Sequence, residues 1–156
     1  MIARLKVFTF LSRAEIERLE EAVAAEPFKR EAQRRLAYEV TSLVHGVEAT
    51  DAAIAASQAL FGQGELSALD AGTLEAALRE LPNTTTSPTA TVTQSLVDTG
   101  LTTSLGEARR AIAQGGVYLN NVKVDDGEVS LADALLAGRM AVLRRGKKTL
   151  AGLFVE

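Results

Sequence analysis

Five consecutive residues near the end of the chain, Arg144-Arg145-Gly146-Lys147-Lys148, place four cations around one glycine. Apolar segments at 140–144 and 149–155 flank them, a pattern that predicts two strands joined by a basic turn. Like charges this close repel one another unless they are solvated or meet an anion. A phosphate backbone is such an anion, so Arg144, Arg145, Lys147 and Lys148 are the first candidate binding residues.

A predicted helix upstream of the turn carries two more cations. Leu105, Ala108 and Ile112 recur at steps of three and four and therefore share an apolar face. Arg110 points away from that face and is available to a ligand. Arg109 lies closer to the apolar border, where its stem can pack while its planar guanidinium reaches a phosphate.

Other residue types exclude several kinds of site. The chain has no cysteine and a single histidine, His45, so disulfides, thiolate metal sites and histidine clusters are excluded. No set of nucleophile, base and acid suggests catalysis, and we expect no catalytic residues and no metal. No apolar run approaches the roughly 20 residues that span a bilayer, and no secretory signal is present. We therefore expect a cytoplasmic protein that does not contact membranes.

The charge is unevenly distributed. The net charge of -3 argues at first against a nucleic-acid partner. Residues 1–88 contain 9 basic and 13 acidic side chains, whereas residues 89–156 contain 8 and 7. Because fields decay over about 8 Å at physiological salt, a basic cluster can still attract a polyanion.

The periodicity predicts an α+β chain of two domains. Residues 1–81 predict a bundle of four helices, opened by the capping box of Ser12 and Glu15 and continued by a helix from Pro27 with Phe28, Val40 and Leu43 on its inner face. Residues 82–89, with two prolines and a Thr/Ser tract, predict a flexible linker. Residues 90–156 predict two short helices, a hairpin about Asn120-Asn121 and a small, mostly antiparallel sheet.

Stretches in both halves of the chain resemble known families. The run from Ser104 to Val124, SLGEARRAIAQGGVYLNNVKV, is similar to the RNA-binding domain named after ribosomal small-subunit protein four. The stretches FTFLSRAEI from Phe8 and KREAQRRLAYEVTSLVHG from Lys29 resemble the helical anticodon-binding region of bacterial tyrosyl-tRNA synthetases. The Arg-Arg-Gly-Lys-Lys turn is similar to the basic C-terminal loop of that family.

This resemblance implies the C-terminal part of a tyrosine-tRNA ligase that holds the anticodon stem and long variable arm of tyrosine tRNA. Arg144, Arg145, Lys147 and Lys148 would contact the RNA, and Arg109, Arg110 and Lys123 would extend the surface. The catalytic domain of the family has no counterpart in these residues. We therefore expect no tyrosine activation and no cofactor here, because ATP and tyrosine would bind the catalytic domain. The resemblance also implies a monomer whose parent dimerises through that domain, and no DNA partner.

Two other interpretations remain open from the residues. A general structured-RNA or ribosome-binding module would share the basic turn but would not need the helical half. A helical protein-interaction module would bind a partner through exposed leucines and would not depend on the basic turn.

Overall fold

Seven α-helices and one sheet of five strands make up the computed structural model, which describes residues 1–156. The helices are α1 (Ile2–Phe8), α2 (Arg13–Ala25), α3 (Glu31–His45), α4 (Val47–Leu60), α5 (Ala71–Arg79), α6 (Val92–Asp98) and α7 (Leu105–Ala113). The strands are β1 (Asn83–Thr86), β2 (Val117–Leu119), β3 (Val122–Lys123), β4 (Met140–Arg145) and β5 (Thr149–Val155). Short 3-10 turns occupy Pro27–Lys29, Leu66–Ala68 and Leu131–Ala134. The predicted α+β class is confirmed.

The chain divides into two compact units, residues 1–52 and 53–156, and the division falls within α4. In the first unit, α1, α2 and α3 pack around the buried side chains of Leu5, Ile16, Leu19 and Ala32. The predicted capping box is present, because the Ser12 amide donates to Glu15 Oε2 at 2.9 Å and the Glu15 amide donates to Ser12 Oγ at 3.3 Å.

The second predicted helix differs from the structure. Pro27 opens only a 3-10 turn, and α3 begins at Glu31, after Arg30 adopts a φ of +55°. The side chains of Phe28 and Leu43, which were predicted to face inward, are 76% and 66% exposed. Apolar periodicity marked a helix correctly, but on its apolar face only Ala32 is buried, and Leu36 packs partly buried against the same cluster.

Helix α1 was not predicted at all. Its seven residues are too few for a stable isolated helix, and it is held by packing of Leu5 rather than by a side-chain cap.

The sheet of the second unit has the strand order β1-β5-β4-β2-β3, with β1 parallel to β5 and the other pairs antiparallel. Helices cover both of its faces. On one face, Ala141 and Leu143 of β4 pack with Leu96 of α6 and Ile112 of α7. On the other, Met140 and Val142 pack with residues of α5 and the end of α4, among them Leu60, Leu74 and Leu78. A strand buried on both faces is continuously apolar, which explains the run Met140 to Leu143.

The structure does not contain the predicted linker over residues 82–89. Asn83 to Thr86 form β1, which pairs in register with Gly152 to Val155. Three β-branched threonines favour an extended backbone, and pairing satisfies the otherwise open edge of β5. The helix at 71–79, predicted to belong to an N-terminal domain, lies in the second unit because its Leu74 and Leu78 cover the sheet. The division at 52/53 therefore replaces the boundary that we predicted near residue 82.

Close packing of α5 on the sheet requires glycine at one position. A Cβ added to Gly152 of β5 would lie 3.0 Å from the Leu78 carbonyl oxygen. The Gly152 amide also donates to the Pro82 carbonyl at 2.9 Å, which fixes the chain as it leaves α5 for β1. None of the helices combines the length and the apolar composition needed to cross a membrane.

Candidate nucleic-acid interface

The basic tip, residues Arg144 to Lys148, is the loop between β4 and β5. Arg145 pairs with Thr149, so Gly146, Lys147 and Lys148 form the loop itself. Gly146 has a φ of +65°, a conformation that glycine adopts without strain. Its amide donates to the Gly116 carbonyl at 2.7 Å. The tip is therefore fastened to the segment that follows α7.

The end of α7 also receives the side chain of Lys123 from β3. A Cβ added to Gly115 would lie 2.8 Å from Lys123 Cε, and Gly115 has a φ of +69°. The backbone conformation therefore favours glycine there, and the end of the lysine side chain packs directly against it. The glycine pair at 115–116 brings α7, β3 and the basic tip together at one end of the second unit.

Four of the seven predicted cations make no ion pair, namely the half-buried Arg144 and three exposed residues. Lys147 and Lys148 are exposed on the loop, and Arg110 is exposed in the last turn of α7. None of them has a carboxylate within salt-bridge distance, whereas Arg109, Lys123 and Arg145 each have one. Unpaired, solvated cations are the groups that can exchange water and counterions for phosphate without first breaking a protein contact.

Arg144 is held against the sheet. Its guanidinium carbon lies 3.9 Å from the ring centroid of Tyr118, its direct partner on β2, and its Nη1 donates to the Gly146 carbonyl at 3.1 Å. A stacked guanidinium that also closes its own loop has fewer donors left for a ligand. The structure therefore gives Arg144 a part in shaping the tip.

Arg145 is also tied into the fold. Its Nη1 donates to the Leu101 carbonyl at 2.6 Å and its Nη2 to Glu107 Oε1 at 2.8 Å. Glu107 Oε2 accepts from the backbone amide and the hydroxyl of Thr103, each at 2.8 Å. These Thr103 donors, and then the Arg145 guanidinium, lower the pKa of Glu107 from 4.5 to about 2.

The two other predicted cations are exposed but partnered. Arg109 Nη2 lies 3.8 Å from Glu128 Oε1, and Lys123 Nζ lies 3.0 Å from Asp125 Oδ1. Exposed pairs of this kind are weak, so a phosphate can compete with the carboxylates. Both cations border the acidic loop, residues 125–128, which contains Asp125, Asp126 and Glu128.

The acidic loop packs tightly on α6 and α7 at Gly127. The Thr93 hydroxyl donates to the Gly127 carbonyl at 2.9 Å, and a Cβ on Gly127 would lie 2.7 Å from Ile112 Cδ1 and would also collide with the Thr93 hydroxyl. A cleft of about 350 Å³ lies between this loop and Arg109. Its carboxylates make it a less suitable site for phosphate than the side of the basic tip.

The Asn120-Asn121 turn contributes to the fold through its side chains. Asn120 Oδ1 accepts from the Val142 amide at 2.8 Å, and its Nδ2 donates to the Ala134 carbonyl. Asn121 Nδ2 donates to the Ala59 carbonyl at 2.6 Å. Both residues have positive φ, of 48° and 66°. The turn geometry predicted from the Asn pair is therefore present. The hydrogen bonds and backbone conformation of the two asparagines account for their presence, so no RNA contact has to be invoked for them.

The structure thus divides the seven predicted cations into those that contact other protein groups and those that do not, a distinction that the sequence did not make. The sequence also carried no sign of the residues that position the tip, namely Glu107, Thr103 and Tyr118. Ser104 caps α7, because the Glu107 amide donates to Ser104 Oγ at 3.3 Å. The carboxylate, however, reaches one residue further back, to Thr103.

Comparison with known proteins agrees with this architecture. A family model described as the tyrosine-tRNA ligase SYY-like C-terminal domain matches residues 73–151, and a model described as tRNA synthetases class I (W and Y) matches residues 1–62. The tyrosine-tRNA ligase of Leifsonia xyli subsp. xyli (strain CTCB07) is 67% identical over 100% of this chain and 36% of its own length. That of Mycobacterium sp. (strain JLS) is 53% identical over 96% of this chain and 36% of its own length.

A solved structure, described as the solution structure of a tyrosyl-tRNA synthetase C-terminal domain, is 28% identical with a TM-score of 0.48 and covers 60% of this chain and 96% of its own. The chain spans about a third of the length of the curated relatives that it matches, since the aligned share is 36%. The model for the C-terminal domain extends over half of the chain, from within α5 to the first three residues of β5. The chain therefore belongs to the tyrosine-tRNA ligase family and corresponds to the C-terminal region of these ligases.

Proposed function

We propose that this chain binds tyrosine tRNA and holds its anticodon stem and long variable arm for aminoacylation by the catalytic part of the ligase. The observation that carries the proposal is the group of three cations that are both exposed and without an ion pair, Arg110, Lys147 and Lys148, at the end of the second unit where α7 meets the basic tip. Membership of the ligase family supports tRNA as the partner.

Physically, this surface suits contacts with the RNA backbone. Lys147 and Lys148 are point charges on flexible stems, which neutralise phosphates without demanding one geometry. Such contacts position the protein and make affinity depend on salt, but they carry no base identity. Recognition of the long variable arm would then come from the shape of the RNA, which is how proteins read most RNA helices.

The same proposal assigns the aminoacylation reaction to the catalytic part of the ligase. We infer that these residues bind neither ATP nor tyrosine and do not catalyse aminoacylation, and that the protein acts in the cytoplasm. We also infer that the 156-residue chain is a monomer. Sedimentation equilibrium tests that inference, and a stable dimer at micromolar concentration would contradict it.

The decisive experiment compares binding to two RNAs over a range of salt. Fluorescence anisotropy would measure the Kd of the chain for tyrosine tRNA, with its long variable arm, and for a tRNA with a short arm. Tighter binding of the long-arm RNA together with a steep salt dependence would support the proposal. Equal and weak binding of both RNAs would instead favour a general structured-RNA or ribosome-binding module.

Absence of binding at low salt would favour the third interpretation, a helical protein-interaction module. The specific observation for it is the exposure of aromatic side chains in the first unit, where Phe10 is 91% exposed and Phe28 is 76% exposed. Large exposed apolar side chains are a feature of protein-interaction surfaces.

A further inference from the structure

The Glu107 anchor, formed by Glu107, Thr103 and Arg145, connects the basic tip to the start of α7. Arg145 is the last residue of β4 and directly precedes the loop that carries Lys147 and Lys148. Glu107 lies in the first turn of α7 and binds Arg145 through one oxygen and Thr103 through the other. A second donor of Arg145 reaches the Leu101 carbonyl, so the loop before α7 and the hairpin are held together.

The anchor adds to a backbone hydrogen bond between the loop and the segment that follows α7. The Gly146 amide donates to the Gly116 carbonyl at the opposite end of α7. Together the two links hold the base of the tip at both ends of one helix. The helix also presents Arg110, which lies three residues after Glu107 and therefore on the same side.

We propose that Glu107 is a positioning residue for RNA binding, which holds Arg145 in the fold so that Lys147 and Lys148 are presented beside Arg110. This inference rests on the proposed function. A carboxylate repels a polyanion directly, so a favourable effect of Glu107 on RNA binding would be the opposite of its direct electrostatic effect. Glu107 also removes Arg145 from the phosphate contacts and makes it part of the support.

The sign of the effect of Glu107→Ala decides between the two roles. If Arg145 contacted phosphate in competition with Glu107, removing the carboxylate would free the guanidinium, remove a repulsive charge and strengthen binding. If Glu107 positions the tip, the variant presents the lysines correctly for only part of the time. The apparent Kd rises in inverse proportion to the competent fraction, so a fraction between about a third and a tenth weakens binding about three- to tenfold.

The salt dependence supplies a second readout. The lysines still make their phosphate contacts whenever the tip is in place, so the slope of log Kd against log salt should stay as in the unchanged chain. Glu107→Ala is therefore expected to lower affinity without lowering the slope. Glu107→Gln, which keeps the size and one acceptor oxygen but loses the charge, is expected to show a smaller loss in the same direction. It also keeps the test available if the alanine variant does not fold.

The matched control is Glu128→Ala. Glu128 is exposed, carries the same charge as Glu107 and faces Arg109, which lies on α7 like Glu107. Glu128 contacts no residue of the tip. Its removal should leave affinity for tyrosine tRNA unchanged or slightly higher. If Glu107→Ala also binds as tightly as the unchanged chain, or more tightly, the positioning role is overturned.

Hydrogen exchange of the Gly146 amide tests the anchor without RNA. In the unchanged chain this amide is bonded to Gly116, so exchange should be slow, and it should accelerate in Glu107→Ala but not in Glu128→Ala. Unchanged exchange in Glu107→Ala would overturn the proposal even if affinity fell. If the unchanged chain does not bind RNA at all, the proposed function fails, and the exchange result still decides whether Glu107 orders the tip.

Discussion

Removing the two lysines of the loop is the sharpest test of the binding surface. In the double variant Lys147→Ala/Lys148→Ala, two exposed cations without ion pairs are lost, while Gly146 and the strands on either side are kept. Since neither lysine supports the fold, the variant should have the same thermal stability as the unchanged chain. Its affinity for tyrosine tRNA should fall, and the loss should be greatest at low salt.

The magnitude follows from the number of phosphate contacts. Each contact contributes about 0.7 to 0.9 to the slope of log affinity against log salt, so losing two should lower the slope by about 1.4 to 1.8. Between about 50 and about 200 mM salt, a fourfold change, the advantage of the unchanged chain over the variant should therefore shrink about tenfold. Fluorescence anisotropy at four or five salt concentrations measures both the affinity and the slope.

Arg139→Ala is the control. Arg139 is exposed, pairs with Glu75 and precedes the six residues of β4, which place it about 20 Å from the tip. Glu75 keeps its other partner, Arg79, at 2.7 Å, so the fold should tolerate the change. A similar fall in slope for Arg139→Ala, or a loss in the lysine variant that is the same at every salt concentration, would refute the assignment of the lysines to phosphate.

Three further predictions concern the support of this surface, each measured by chemical denaturation. Gly127→Ala should lower the free energy of unfolding by about 1 to 3 kcal/mol through overpacking, whereas Gly106→Ala, with nothing within 4 Å of the added Cβ, should be neutral or stabilising. Asn120→Ala should cost about 2 to 4 kcal/mol, because two hydrogen bonds are lost and alanine takes over a positive φ. The lowered pKa of Glu107 stabilises the folded state fully above pH 4.5 and loses this effect towards pH 2. The stability difference between the unchanged chain and Glu107→Ala should shrink over that range, and a constant difference would contradict the lowered pKa.

Local signals predicted most of the elements. The caps at Ser12, Asp70, Thr91 and Ser104 each accept a hydrogen bond from the backbone amide three residues on, as their sequence patterns indicate. The Asn-Asn turn and the two apolar segments around the basic tip became the antiparallel pairs β2–β3 and β4–β5. These features depend on neighbours in sequence, so they can be read without knowing the tertiary structure.

Pairing between distant segments could not be predicted in the same way. The threonine tract at 84–86 has no apolar anchor and becomes a strand only because β5 offers an edge. One sequence signal for the second covered face was present, since Met140 to Leu143 is apolar at every position rather than at alternate ones. A strand that is apolar at every position must be covered on both faces, and α5 was the predicted helix left to cover the second face.

The tip itself shows that a basic cluster in a sequence can combine cations that support the fold with cations that make no protein contact. Arg144 and Arg145 precede the glycine and use their planar guanidinium groups for several fixed contacts at once, with Tyr118, Gly146, Leu101 and Glu107. A lysine cannot reproduce such contacts, because its ammonium is a single point with no planar fork. Lys147 and Lys148 follow the glycine and stay solvated, which suits contacts that must adapt to a phosphate backbone. The order of residue types along five positions therefore separates the cations that support the fold from those that stay available to a ligand, and exchange of arginine for lysine at Arg145 would not be conservative.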